Sequence, residues 1–182
     1  MKKVISTDIY HLLHPKMTFF LTSISKDGKP NVMTGAWATP VSEEPPIVIV
    51  CLSKQHYTTK LIKQTKEFVI NIPPKRLIKE LWICGKTSGK DTDKFKKAKL
   101  KTAPAKRAKA PIVSDCIGHI ECKVWKTVEA GECYALFGKV LSAYADIRYF
   151  KKGLWTERAE IPFHLGGPKM VYFTKTAISK VT

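Results

Sequence analysis

The run MTFFLTSISKDGKPNVMTGAW, Met17–Trp37, decides the fold. Its first part, Met17–Ser25, is rich in β-branched and aromatic residues and reads as a strand. Asp27-Gly28 breaks it, and both residues tolerate the positive φ angles that tight turns need, so a hairpin is expected. The returning strand begins near Asn31 and reaches about Trp37.

Downstream, Glu43-Glu44-Pro45-Pro46 stops any regular element, because proline lacks a donor and restricts the residue before it. Ile47–Leu52 is a continuous apolar, β-branched run and reads as a strand buried on both faces. From His56 to Lys66 the apolar residues are Tyr57, Leu61 and Ile62, a spacing that predicts a short amphipathic helix. Glu67–Ile72 is a further strand, closed by Pro73-Pro74, and Lys75–Ile83 a second short helix. The lysine-rich stretch 84–111 predicts a long surface excursion with one helical turn around Lys94–Ala98. Two long strands follow, Ile117–Val128 and Glu132–Ala145, hinged at Glu129-Ala130-Gly131. The tail reads as a proline-bounded loop, IPFHLGGPK, and a last strand, Met170–Phe173. Six or seven strands in antiparallel hairpins with a few short helices predict a mainly β chain closed into a barrel. Regular strand-helix alternation is absent, which argues against a doubly wound fold.

The 182 residues suit one domain. The chain carries 32 Lys and Arg against 15 Asp and Glu, a formal net charge of +17. Charge of this size raises nucleic-acid binding, but no zinc-finger, helix-turn-helix or RNA-binding signature accompanies it, so that role is disfavoured. The excess is concentrated between Lys86 and Lys109, with ten basic residues and two acids. The start, MKKVISTDIYHLLHP, lacks the apolar core of a signal peptide, and no run approaches a bilayer span. Five cysteines without a CxxC pair suit a reducing compartment. A cytoplasmic protein without membrane insertion is expected. Cys116, His119 and Cys122 invite a metal reading, but on an extended strand His119 points away from the two thiols.

Three segments carry candidate chemistry. In Asn31–Trp37, an amide and a hydroxyl stand beside Gly35 and Ala36, small residues that let a flat ligand reach the backbone. Ser53–Lys60 joins a strand to a helix start, where hydroxyls and free backbone N–H groups hold an anion such as phosphate. Gly85–Phe95 is rich in glycine, hydroxyls and lysine, but its spacing fails the P-loop pattern, which excludes a nucleoside triphosphatase. Each segment singly also suits an ordinary bulge or helix cap.

Taken in order, NVMTGAW, EPPIVIVCLSKQHYTTKLI, EFVINIP, SGKDTDKF and the late HLGG resemble the flavin reductase-like family of FMN-binding split barrels, in its flavoredoxin branch. The resemblance implies a single flavin reductase-like domain over residues 1–182, an antiparallel split β-barrel, noncovalently bound FMN and a homodimer. It implies NADH, NADPH or another electron donor. By the same resemblance Asn31, Met33, Thr34, Gly35, Ala36 and Trp37 meet the isoalloxazine edge, and Ser53, His56, Tyr57 and Thr58 hold the ribityl-phosphate arm. Ser88, Gly89, Lys90 and Lys94 close over the phosphate, and His164 lines the flavin or substrate side. Lys90 stands where related sequences often carry Arg. FMN supplies its own redox chemistry, so no catalytic side chain is demanded. The excess lysines then suit an acidic redox-protein partner or the phosphates of a nicotinamide. Two other readings stay open: a non-catalytic basic module that contacts nucleic acid or an acidic protein, and a structural or sensory FMN binder.

Overall fold

The computed structural model describes residues 7–167 and 169–172. Fourteen strands are present among them: β1 Lys16–Met17, β2 Phe19–Ile24, β3 Pro30–Gly35, β4 Ala38–Ser42, β5 Ile47–Ser53, β6 Glu67–Ile72, β7 Thr102–Ala103, β8 Ile112–Val113, β9 Gly118–Ala130, β10 Cys133–Ala145, β11 Phe150–Lys151, β12 Leu154–Trp155, β13 Pro162–Gly166 and β14 Lys169–Tyr172. Three α-helices interrupt them: α1 Tyr57–Thr65, α2 Ile78–Lys86 and α3 Lys94–Lys97.

Seven strands form one antiparallel sheet in the order β3-β2-β6-β9-β10-β5-β4. Its two edge strands, β3 and β4, are consecutive in the chain and are linked only by Ala36-Trp37. So short a link forces the sheet to curl until its edges approach, which gives a split barrel with Met33–Trp37 at the opening. The Trp37 carbonyl accepts from the Cys51 N–H at 2.9 Å and ties the link to β5.

The hairpin of β2 and β3 organises both sides of the wall. Phe19 and Leu21 point into the barrel core with Val48, Val50, Leu52, Ile62, Phe68 and Leu136. Phe20 and Val32 face outward, where Leu77, Leu81 and Cys84 of the α2 region cover them. The same alternation that builds the core therefore seats α2 beside β3. Asn71 pins the layers together. Its Nδ2 donates to the Phe20 carbonyl and to the Thr22 hydroxyl at 3.1 Å, and its Oδ1 accepts from Val113 N–H and from His119 Nδ1, each at 2.9 Å.

The turn chemistry is longer at one end than expected. The loop between β2 and β3 spans Ser25–Lys29, and only Gly28 takes a left-handed φ, at 84°. The β9–β10 turn is the two-residue Gly131-Glu132, with Gly131 at φ 56°. β4 was not expected, because Pro40 and the proline run after it mask an edge strand. HLGG lies mostly within β13, paired with β1 and β14, and not in a loop. The expected last strand is β14, whose predicted end at Phe173 falls outside the described residues. β5 is buried along the whole of one face, Val48, Val50 and Leu52, whereas on the other only Ile47 is buried and Ile49, Cys51 and Ser53 are partly exposed. Cys116 precedes β9, so it does not share a strand face with Cys122.

The lysine-rich excursion is fastened to the barrel. The fully buried Glu121 carboxylate accepts the N–H groups of Lys106 at 2.8 Å, Arg107 at 2.6 Å and Ala108 at 2.8 Å, and the Tyr144 hydroxyl at 2.9 Å. These bonds hold its carboxyl below the ordinary range against the opposing effect of burial.

Candidate functional site

Three hollows meet at the split, with Thr34 in the wall of each. The largest has a volume of about 430 Å³ and lies between the start of α1 and the loop after α2. His56 precedes α1 in an extended conformation, without a side-chain cap; its carbonyl accepts from Thr59 N–H at 3.0 Å, so the N–H groups of Tyr57 and Thr58 are the first-turn donors without an intrahelical partner. Beside them, Thr58 is buried and its Oγ1 accepts from Asn31 Nδ2 at 2.8 Å. The Thr58 proton is therefore free to donate elsewhere.

The opposite wall is the end of α2 and the turn after it, Gly85–Gly89, with Lys94. Gly89 rests directly on the Asn31 amide: a Cβ there would come within 1.9 Å of Asn31 Oδ1. Lys94 is only 5% exposed, and its ammonium donates to the Cys84 carbonyl at 3.0 Å. Among the described residues no carboxylate lies within 4.0 Å of it. Burial lowers its pKa. Partial enclosure, followed by the Lys94 charge, pushes the His56 imidazole below its ordinary value as well. A buried cation without a counter-charge is costly, and an anion in this hollow would supply the missing charge.

The second hollow, of about 220 Å³, continues from the first past Met33 and His56. Its wall runs along Met33–Trp37, and Cys51, Ser53 and Cys133 close it from β5 and β10. Gly35 is pressed against the Phe19 ring, where a Cβ would sit 2.7 Å from Cε2, so the strand surface here stays flat. The third hollow, about 280 Å³, lies on the other side of the same segment, between Trp37, Trp82 and His164. Thr34 Oγ1 donates to the Leu81 carbonyl at 2.5 Å and fixes β3 against α2 between the hollows.

Of the residues singled out in the sequence, Met33, Thr34, Gly35, Ala36, Trp37, Ser53, His56, Tyr57, Thr58, Ser88, Gly89, Lys94 and His164 line these hollows. Asn31 stands behind the first, bonded to Thr58 and under Gly89. Lys90 is exposed and lines none of the three; its backbone N–H donates to Ser88 Oγ at 3.2 Å. Lys86, at the end of α2, lines two of them instead. Sequence reading also missed Thr18, Trp82, Cys51 and Cys133 as wall residues. No sequence signal marked Trp82, because its exposure follows from the docking of α2.

A curled antiparallel barrel of this kind is the fold of the flavin-binding split barrels. The chain belongs to the family described as "Flavin reductase like domain", which matches residues 11–160. An Escherichia coli (strain K12) protein, the uncharacterized YddH, is 32% identical over 94% of this chain and 95% of its own. The fold is similar to the flavoredoxin of Desulfovibrio vulgaris (Miyazaki F), with a TM-score of 0.88 at 24% identity, covering 98% of this chain and 97% of that one. Flavoredoxin from Methanosarcina acetivorans gives 0.85 at 26% identity, covering 100% and 95%. The chain is thus a flavin-binding oxidoreductase of the flavin reductase type. No helix among the described residues is long and apolar enough to cross a membrane.

Proposed function

We propose that the chain binds FMN noncovalently and passes electrons from NADH, NADPH or a redox partner to an acceptor. The observation that carries this reading is the buried Lys94, without a carboxylate partner and facing the start of α1 across a glycine-bearing loop. In this reading Lys94, Lys86, Thr58 and Ser88 hold the phosphate, and Ser53 and His56 follow the ribityl chain into the second hollow. The isoalloxazine then lies along the backbone of Met33–Trp37, which Gly35 keeps open. Bound FMN supplies hydride and single-electron chemistry that no side chain here provides. The protein would orient the ring and, through Leu52 and Met33, would shield one side of it from water.

Binding is tested by quenching of FMN fluorescence, followed by oxidation of NADH and NADPH with the loaded protein. Quenching without nicotinamide oxidation indicates a carrier fed by another protein. The exposed lysine face favours an acidic partner for that case: the Lys96 side chain is 88% exposed, and Lys97, Lys99 and Lys101 are exposed beside it.

The same reading includes a homodimer. Leu12 and Leu13 are 68% and 70% exposed, beside an apolar groove of about 270 Å³ walled by Tyr10, Leu13, Trp37, Ile49 and Cys51. Isolated monomers rarely leave such a face open to water. Cys51 and Trp37 wall both this groove and the flavin slot, so the partner subunit would border the cofactor. The free cysteines, all five of them, suit a cytoplasmic setting.

A further inference from the structure

We propose that the N-terminal segment 8–15 is an acid-released strap, docked over the split by a stack of three neutral histidines, His11, His14 and His164, and freed when protonation charges the stack. The docking and its release stand on the segment's own geometry, whereas the idea that release admits reactants to a bound flavin rests on the FMN reading above.

The segment has little else to hold it. Its 3-10 turn, Ile9–Leu13, buries none of its residues, and Leu12 and Leu13 are 68% and 70% exposed. A row of rings does the fastening. Tyr10 packs edge-on against Trp37 with centroids 5.5 Å apart, His11 and His14 lie 5.2 Å apart, and His14 and His164 5.3 Å. His11 also rests on Gly166, where a Cβ would come within 2.9 Å of its ring. The short strand that follows, β1, pairs with β13, which sets Lys16 opposite His164. Trp37 walls the second and third hollows, so the position of the segment decides how that corner of the split meets solvent.

The stack suits uncharged rings only. His14 Nδ1 lies 3.2 Å from the Tyr10 carbonyl, and His164 Nε2 lies 2.8 Å from the Gly167 carbonyl. A carbonyl only accepts, so these two nitrogens carry the protons and the other nitrogen of each ring is a bare lone pair. His14 Nε2 is buried and has no hydrogen-bond partner. A proton placed there finds no acceptor, and it faces basic groups: His11 and Lys16 from its own side and His164 from β13. Lys86 lines the hollow that His164 walls. Nearby acids do not compensate. Asp8 accepts from the Tyr10 hydroxyl at 3.4 Å, Glu132 acts on Tyr10, and among the described residues no carboxylate lies within 4.0 Å of the three imidazoles. Burial holds the His14 pKa below its ordinary 6.5, with His164, His11 and Lys16 adding to it, against the opposing bond to the Tyr10 carbonyl. A histidine that resists protonation when docked stabilises docking fully above about 6.5, and that contribution is lost as pH falls below this value.

The test is hydrogen exchange of the full chain, with and without added FMN, at about pH 7.5 and about pH 5.5, which bracket the ordinary histidine range, corrected for the intrinsic rate. In the segment 8–15 the His11 and His14 amides are hydrogen-bonded, and their protection should fall by about fivefold or more on acidification while amides of β2 and β6 keep theirs. His14→Phe keeps a ring in the stack and removes its titration, and His164→Phe removes the neighbouring charge; both should flatten the response. Because His14→Phe also loses the Tyr10 bond, His164→Phe decides the matter where the first variant is unprotected at both pH values. A segment unprotected at pH 7.5 in the parent or in both variants, a loss shared equally by β2 and β6, or a drop of full size in either variant would overturn the strap. Release seen without FMN keeps the strap whatever the flavin titration gives, so the two readings fail separately.

Discussion

Asn31 donates through Nδ2 to the Thr58 hydroxyl at 2.8 Å, and that single bond sets the direction in which Thr58 itself can donate. With one lone pair engaged by Asn31, the Thr58 proton is available to the hollow at the start of α1. A pair that acts as a unit predicts non-additive substitutions. Thr58→Ala should weaken FMN by about 1 to 3 kcal/mol, the range for a charge-assisted bond. Asn31→Ala should weaken it too, although Asn31 stands behind the hollow and acts through Thr58. The double variant should lose clearly less than the sum, measured by flavin fluorescence titration; strict additivity would show that the two residues act separately.

Gly89 leaves no space for a side chain. Since a Cβ would sit 1.9 Å from Asn31 Oδ1 and 2.9 Å from its Cγ, Gly89→Ala must displace either the loop or the amide. The expected result is a loss of FMN affinity of about tenfold or more with little change in thermal stability, because the loop lies at the surface. The measurement pairs FMN titration with a melting curve. Unchanged affinity would place the phosphate elsewhere.

Lys94 should behave in opposite ways with and without ligand. The ammonium is buried and lacks a carboxylate partner among the described residues, so the ligand-free protein bears its desolvation cost. Lys94→Met should therefore stabilise the ligand-free protein by about 1 to 4 kcal/mol while abolishing most of the phosphate contribution to binding. Denaturant midpoints with and without FMN check both halves. A variant destabilised in both conditions would assign Lys94 a purely structural role.

Stability should fall on acidification because of His119. Its Nδ1 donates to Asn71 Oδ1, and burial pushes its pKa down to about 4. An unfolded histidine takes up its proton near 6.5, so between these values the unfolded chain binds more protons. Stability from this group therefore declines as pH drops from about 6.5 to about 4 and levels off below. Glu121, whose folded carboxyl titrates below its ordinary value, adds a further loss as pH falls below the unfolded carboxyl range. Urea midpoints across this range should show a slope that flattens in His119→Gln. A slope unaffected by the substitution would contradict the assignment.

Much of the barrel was legible because its signals are local. Gly28 and Gly131 mark the two main hairpins, and the spacing of Tyr57, Leu61 and Ile62 gives α1. β4 was hidden because Pro40 is tolerated only at an edge, and edge position is a property of the whole sheet. The exposed side of β5 was equally invisible, since Ile49 and Cys51 are apolar whether they face a core or a groove. Within the site, the hydroxyl- and glycine-rich loops stood out by composition. Lys86 and Trp82 did not, because their role depends on α2 docking against β3, fixed by the bond from Thr34 to Leu81.

The most direct test of the account compares FMN with riboflavin, which differs only in lacking the phosphate. The account predicts saturable FMN binding at least about 100-fold tighter than riboflavin in the parent protein, and a difference that nearly vanishes in Lys94→Met. Equal affinity for the two flavins, or no binding of either, would contradict it.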